Sequence, residues 1–282
     1  SPLPIEKIEA AVPHLVQSLA VEGFMDCAQA IMTTDTVPKL VHRQGWVDGS
    51  PFNVIGLAKG SGMIAPNMAT MLCFACTDIA ASPDMLKAVL LKSVNNSLNR
   101  IIIDGDTSTN DTTLILANGQ SGISLDENNA MASFQQVLDG VLLSLARELV
   151  RDAEGGTKVV TIAVRGAGAP EDARTMAETI ANSPLVKTAI FGEDANWGRI
   201  AAAAGRSGVP FNPGQLDIFF ADVQMTAKGL SCGDQAESAA TAVLQQPEFT
   251  ITLDLNAGQA EASVLTCDFS IDYVKINADY RS

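Results

Sequence analysis

Lys59-Gly60-Ser61-Gly62-Met63-Ile64-Ala65-Pro66-Asn67-Met68-Ala69-Thr70-Met71-Leu72 can be read in two incompatible ways. Gly60, Gly62 and Ala65 fit G-x-G-x-x-A after a strand, and Asp78 lies 18 residues beyond Gly60. That pattern needs a helix to follow, with its N-terminus on a pyrophosphate. Pro66 and the apolar, β-type run after Thr70 contradict that helix, so a dinucleotide fold is rejected. Gly60 and Gly62 then make a turn between two strands. Thr70 acquires a chemical meaning of its own if the Ala69–Thr70 bond breaks. A threonine hydroxyl is inert at neutral pH without a base, and a newly exposed α-amino group on the same residue supplies one. The reference pKa of that amine, about 7.7 to 8.0, suits the task.

Working outward, residues 53–59 and 70–77 read as strands on either side of this turn. Residues 30–36, Ala-Ile-Met-Thr-Thr-Asp-Thr, are β-branched and read as a short strand running into a polar loop that ends at Pro38. Ile5, Ile8, Val12, Leu15 and Leu19 predict a helix over 5–22, interrupted at Pro13. Ser82-Pro83-Asp84 combines an N-cap, a proline in the first turn and an acid, and so opens a helix through Val94. Strands are expected over 101–104 and 112–117, followed by a long helix over 126–150. Further strands are expected over 158–165, 185–191, 217–223, 249–256 and 260–269, with helices over 170–181, 200–204 and 235–244. The alternation predicts a layered α/β fold, as one large domain or two meeting near residue 155.

The chain has 282 residues, 47% hydrophobic, enough for a substantial core. A net charge of −14 spread along the chain excludes an electrostatic footprint for nucleic acid or an anionic membrane. No apolar run is long enough for a membrane span and no signal peptide is evident, which implies a cytoplasmic protein. The Cys73-Phe-Ala-Cys76 spacing has no second pair, so it reads as buried thiols and no metal site is expected. Asp104-Gly-Asp-Thr-Ser-Thr-Asn-Asp111 has Thr109 where a calcium loop needs glycine and Ile115 where it needs glutamate. It reads instead as a hydrogen-bonded turn shaping a pocket. His14 and His42 are the only histidines, which favours a mechanism without one. Gly192-Glu-Asp-Ala-Asn-Trp-Gly-Arg199, between two elements, is either a ligand contact or helix capping by Asp194 or Asn196 with Trp197 packing.

Taken together, residues 30–36, 59–70, 104–111, 151–158 (Arg-Asp-Ala-Glu-Gly-Gly-Thr-Lys), 194–199 and the C-terminal Tyr273-Val-Lys-Ile-Asn-Ala-Asp-Tyr-Arg-Ser282 resemble the ornithine acetyltransferase (glutamate N-acetyltransferase) family. The match runs in order along the whole chain. The resemblance implies an Ntn-like αββα architecture of the aminopeptidase/ornithine acetyltransferase type and an acyltransferase of arginine biosynthesis. It implies self-cleavage at Ala69–Thr70 into residues 1–69, part of an α chain, and 70–282, a β chain. Thr70 would then carry an acetyl group from N-acetyl-L-ornithine to L-glutamate in a ping-pong exchange. By family position Thr33, Lys59, Thr70, Glu154, Asn277 and Ser282 bind substrate. Lys59 suits a carboxylate and Glu154 an ammonium.

No cofactor is implied, although acetyl-CoA is a candidate second donor. The partners implied are the two small-molecule substrates, the paired α and β chains, and further copies in a homo-oligomer of αβ units. Family members also carry an N-terminal portion whose Thr-Gly pair forms an oxyanion hole, and this chain begins just after it. Two other readings stand beside the transferase. One is a related Ntn-type aminopeptidase or amidohydrolase, which would not need glutamate; the other is an inactive, truncated ligand-binding remnant.

Overall fold

The computed structural model describes residues 3–66, 71–108, 110–126 and 129–279. Two helices lead the chain, α1 (Ile5–Gln17) and α2 (Phe24–Ala30). The hairpin of β1 (Lys39–Val47) and β2 (Ser50–Lys59) follows, paired from Val47↔Ser50 to Lys39↔Ala58. Its two-residue turn places Asp48 at φ 48° and Gly49 at φ 83°. Positive φ at both central residues is what a tight hairpin turn matching the strand twist requires. β3 (Leu72–Thr77) pairs antiparallel with β2, and β5 (Thr112–Ala117) pairs parallel with β3. The order of this four-stranded sheet is β1-β2-β3-β5.

Against one face of that sheet lie α3 (Pro83–Asn95) and α4 (Ala130–Arg151). The expected cap forms: Ser82 Oγ accepts the Met85 amide at 3.4 Å. Phe134, Leu138, Val141, Leu142, Leu145 and Leu149 of α4 are buried at helical spacing. They meet Phe52, Val54, Ala58, Cys73 and Ala75 of the sheet. Gly56 lets α4 approach, because a Cβ there would lie 2.6 Å from Val141 and 2.8 Å from Leu145.

The second sheet has seven strands. In chain order they are β4 (Ile101–Ile102), β6 (Val159–Ala167), β7 (Asp217–Phe220), β8 (Val223–Ala227), β9 (Leu230–Ser231), β10 (Glu248–Asp254) and β11 (Ala260–Cys267). They are arranged as β4-β11-β6-β10-β7-β8-β9. Four helices accompany this sheet: α5 (Pro170–Ala181), α6 (Pro184–Phe191), α7 (Trp197–Gly205) and α8 (Asp234–Leu244). Residues from all four bury a second core with this sheet. β4 carries the chain from the first layer into the second sheet, and the C-terminal helix α9 (Ile271–Asp279) follows β11.

The structure corrects several local expectations. Residues 31–36 form no strand. Asp35 accepts the amides of Thr33 and Gly60, and Asp152 accepts that of Thr36, so side-chain carboxylates take the partners a sheet would have supplied. Residues 184–191 are helical, with Pro184 in the first turn and Val186, Lys187 and Ile190 buried along one side. A short apolar run does not by itself separate a buried helix from a buried strand. The strand expected over 217–223 ends at Phe220: Ala221, with φ 49°, turns the chain back into β8, which pairs antiparallel with β7. α1 stops at Gln17 and none of its residues is buried. β1 and α9 were not expected, although Asp48-Gly49 is a hairpin signal.

Candidate active site

The segment 59–66 is fastened from four directions. At its start, the Gly60 amide donates to Asp35 Oδ1 at 2.7 Å. Ser61 offers its carbonyl to the Glu154 amide at 2.8 Å, and its hydroxyl lies 2.6 Å from Thr34 Oγ1. Asp104 then accepts the amides of Met63 at 2.7 Å and Ile64 at 3.2 Å. Ile64 returns its carbonyl to the Ile103 amide at 2.8 Å. Asp104 and the Ile103 amide are thus a hydrogen-bonded support for the glycine-containing turn.

Behind this loop sits a buried ion cluster. Lys39 Nζ, with no exposed side-chain surface, lies 2.7 Å from Asp35 Oδ1 and 2.6 Å from Asp152 Oδ2. Burial pushes the Asp35 carboxyl up, but the Gly60 amide, the Lys39 ammonium and the Thr33 amide outweigh it and hold the group below its usual value. Thr36 donates both its amide and its hydroxyl to Asp152, which terminates α4. The cluster clamps residues 33–39 to the ends of β2 and α4.

That clamp brings together residues distant in sequence. Lys59 Nζ donates to Thr33 Oγ1 at 2.6 Å. Lys59 is 7% exposed, so its ammonium is held in a poorly solvated position with a hydroxyl as its bonded neighbour. Glu154, three residues past the end of α4, accepts from Asn277 Nδ2 at 3.1 Å. A Cβ on Gly62 would lie 2.7 Å from Glu154 Oε2, so the turn and this carboxylate are in close apposition.

The C-terminal helix is docked by the same loop. Ser270 Oγ donates to the Gly155 carbonyl at 2.5 Å, and Asp268 accepts from Thr157 and Lys158. Gly155 has φ 65°, and a Cβ there would lie 2.3 Å from the Tyr273 amide nitrogen. Tyr273 stacks on Phe269 at 4.6 Å between ring centroids. Burial first, then the charges of Asp104, Asp106 and Glu154, push its phenol up to about 12. The charges of Asp104, Asp106 and Glu154 thus act together on this phenol, while Lys59 pairs with Thr33 at the start of the turn.

Of the residues assigned from the sequence, Thr33 meets Lys59 and Glu154 meets Asn277. Ala69, Thr70 and Ser282 lie outside the described residues. Immediately after them, the Met71 amide donates to Asp111 Oδ1 at 3.1 Å, and the Met71 carbonyl accepts from the Thr112 amide at 3.1 Å. The supporting residues Asp35, Lys39, Asp152 and Tyr273 escaped the sequence reading, because only folding brings their partners together.

The other candidates are structural. Asn196 Oδ1 caps α7 by accepting the Arg199 amide at 3.1 Å, and Trp197 packs on the second core. Cys73 is buried, its thiol pushed up to about 12 by burial, and Cys76 is half-buried. His42 is exposed and bonds Asn53 at 2.9 Å. Among the described residues no group of three His, Cys, Asp or Glu side chains could hold a metal ion. No helix of the described residues is long and apolar enough to cross a membrane.

Comparison with known proteins places this geometry in context. The family model described as "ArgJ family" matches residues 1–282. The chain is 51% identical over 283 residues to the arginine biosynthesis bifunctional protein ArgJ of Desulfotalea psychrophila, covering all of this chain and 72% of that protein. It is 49% identical to the protein of the same name from Geobacter sulfurreducens, with the same coverage. Among solved structures, the crystal structure of the ArgJ bifunctional protein from Bacillus halodurans superposes with a TM-score of 0.70 at 36% identity. That match covers 73% of this chain and 98% of the other. The layered α/β fold expected from the sequence is the fold of that structure.

Proposed function

Because the chain belongs to the ArgJ family, we propose that it is an acetyltransferase of arginine biosynthesis that moves an acetyl group from N-acetyl-L-ornithine to L-glutamate through Thr70. The observation that carries this reading is the convergence of the Lys59–Thr33 and Glu154–Asn277 pairs on the turn that leads to Thr70. Lys59 binds a substrate carboxylate and Glu154 an ammonium, the two charges every α-amino acid presents. Ala69 and Thr70 form the cleavage site, dividing the chain into 1–69 and 70–282. Ser282 completes the substrate contacts by family position.

In processing, the Thr70 hydroxyl attacks the Ala69 carbonyl carbon. The C–N bond breaks, the proton passes to the departing nitrogen, and water hydrolyses the resulting ester. The freed amine then serves as base. It takes the hydroxyl proton as Thr70 attacks the acetyl amide, and returns it to the ornithine amine that leaves. In the second half-reaction the glutamate amine attacks the acetyl ester, the C–O bond to Thr70 breaks, and the amine proton passes through the Thr70 α-amine to the departing oxygen, which regenerates the hydroxyl.

The test is mass spectrometry of the purified protein together with an acetyl-transfer assay. A chain beginning at Thr70 and glutamate-dependent release of ornithine are expected. An uncut protein that still transfers acetyl groups refutes the reading, and release of free acetate without glutamate favours the amidohydrolase. Acetyl-CoA as second donor is tested in the same assay. The proposed setting is a cytoplasmic homo-oligomer of αβ units.

A further inference from the structure

Lys187 lies on α6 and is 1% exposed. Its ammonium donates to Thr266 Oγ1 at 2.7 Å and to the Cys267 carbonyl at 2.6 Å, and it stands 4.8 Å from the centre of the Phe269 ring. Its own carbonyl accepts the Phe269 amide at 3.3 Å. Backbone and side chain of one residue thus grip a single segment, 266–269. Burying a cation costs free energy, which these hydrogen bonds and the aromatic face offset. Burial pushes the Lys187 ammonium below its ordinary pKa, against the opposing pull of Cys267, Asp268 and Asp104.

The gripped segment is the root of the C-terminal helix, since β11 ends at Cys267 and α9 begins at Ile271. None of the residues of α9 is buried, so packing on a core does not set its direction. The root does, through Ser270 on the Gly155 carbonyl and through Phe269, whose ring stacks on Tyr273 and meets the Lys187 ammonium. Asn277 stands about 9 Å along the helix from Ile271, so a tilt of about 10° at the root displaces its amide by about 1.5 Å. That is enough to break the 3.1 Å bond to Glu154.

We propose that Lys187 is a positioning residue for substrate binding: by gripping residues 266–269 it sets the direction of α9 and thereby the seat of Asn277 on Glu154. The inference rests on the reading of Glu154 and Asn277 as substrate contacts.

The experiment compares the full-length wild type with Lys187→Met, which keeps an unbranched side chain and removes the ammonium. The readouts are melting temperature, hydrogen exchange over 271–279, and KM and kcat for acetyl transfer from N-acetyl-L-ornithine to L-glutamate. A melting temperature close to that of the wild type is expected, because an apolar side chain of similar volume replaces a buried charge. Exchange over 271–279 should accelerate, and KM should rise at least about tenfold with kcat nearly unchanged, the mark of lost substrate binding. A folded Lys187→Met with wild-type KM overturns the proposal. So does a raised KM with unchanged exchange over 271–279, since the effect would then bypass α9. If Lys187→Met does not fold, Phe269→Leu decides by the same readouts, because it leaves the Lys187 hydrogen bonds and removes the ring that Lys187 and Tyr273 share. Loss of the fold in both variants makes the contact structural and overturns the proposal. A wild type that transfers no acetyl group sinks the underlying reading, whereas an active wild type with an indifferent variant sinks this inference alone.

Discussion

Asn277 donates its side-chain amide to Glu154 Oε2 at 3.1 Å, across 123 positions of sequence. The bond ties the C-terminal helix to the loop that follows the longest helix of the fold. It also ties two residues assigned separately to substrate binding into one unit. Glu154 is fixed at its amide by Ser61 and at its carboxylate by Asn277, so its orientation toward the glycine-containing turn is set before any ligand arrives.

Lys59→Met should leave the fold intact while weakening substrate capture. A hydrogen bond to a charged group contributes about 1.5–3 kcal/mol, which predicts a fall of about 10- to 150-fold in kcat/KM for substrates bearing an α-carboxylate. Steady-state kinetics against an ester analogue, which lacks that carboxylate, should show a much smaller loss.

Lys39→Met leaves Asp35 and Asp152 buried without their shared cation. Removing one partner of a buried ion pair costs about 3–5 kcal/mol, so chemical denaturation should show a loss of that size. The Asp35 carboxyl has a folded pKa below the ordinary 3.8. Its contribution is thus fully present above pH 3.8 and is lost as pH falls through the folded value. In the wild type, this share of stability should disappear only in strong acid, and Asp35→Asn should remove that part of the acid sensitivity.

Asp111 has the opposite sign. Its folded pKa, near 6, lies above the ordinary 3.8. The folded state therefore holds the proton more tightly, and the group costs stability as pH rises from about 4 through 6. Melting temperatures of Asp111→Asn should gain on the wild type across that interval and hold a constant advantage above it. An advantage that does not grow with pH refutes the assignment of the shift.

Gly155→Ala should disrupt the docking of α9. The left-handed backbone there costs an L-residue roughly 1–2 kcal/mol, and the added Cβ would lie 2.3 Å from the Tyr273 amide nitrogen. Acetyl transfer should fall at least about tenfold as Asn277 loses its seat on Glu154. Hydrogen exchange should accelerate within 271–279 while the cores of both sheets stay protected.

Local pattern was enough for much of this molecule. The helical stripe of α4, the Ser82-Pro83 cap and the strands β2, β5 and β6 follow from periodicity and capping chemistry, which act within a few residues and are legible in one dimension. The blocks around 30–36, 59–70, 104–111, 151–158 and the C-terminus carried the family resemblance, and with it the names of the residues for the site. Pattern failed at 31–36 and 184–191. There the outcome hung on distant partners: the carboxylates of Asp35 and Asp152 for the first, and a buried face built from β11 and neighbouring helices for the second. Tertiary structure alone decided that Lys39 bridges two aspartates, that Glu154 meets Asn277, and that Asp111 stands beside Met71 with one oxygen unclaimed among the described residues. The physical reason is range: propensity and periodicity are properties of neighbours along the chain, whereas charge pairing and desolvation depend on neighbours in space.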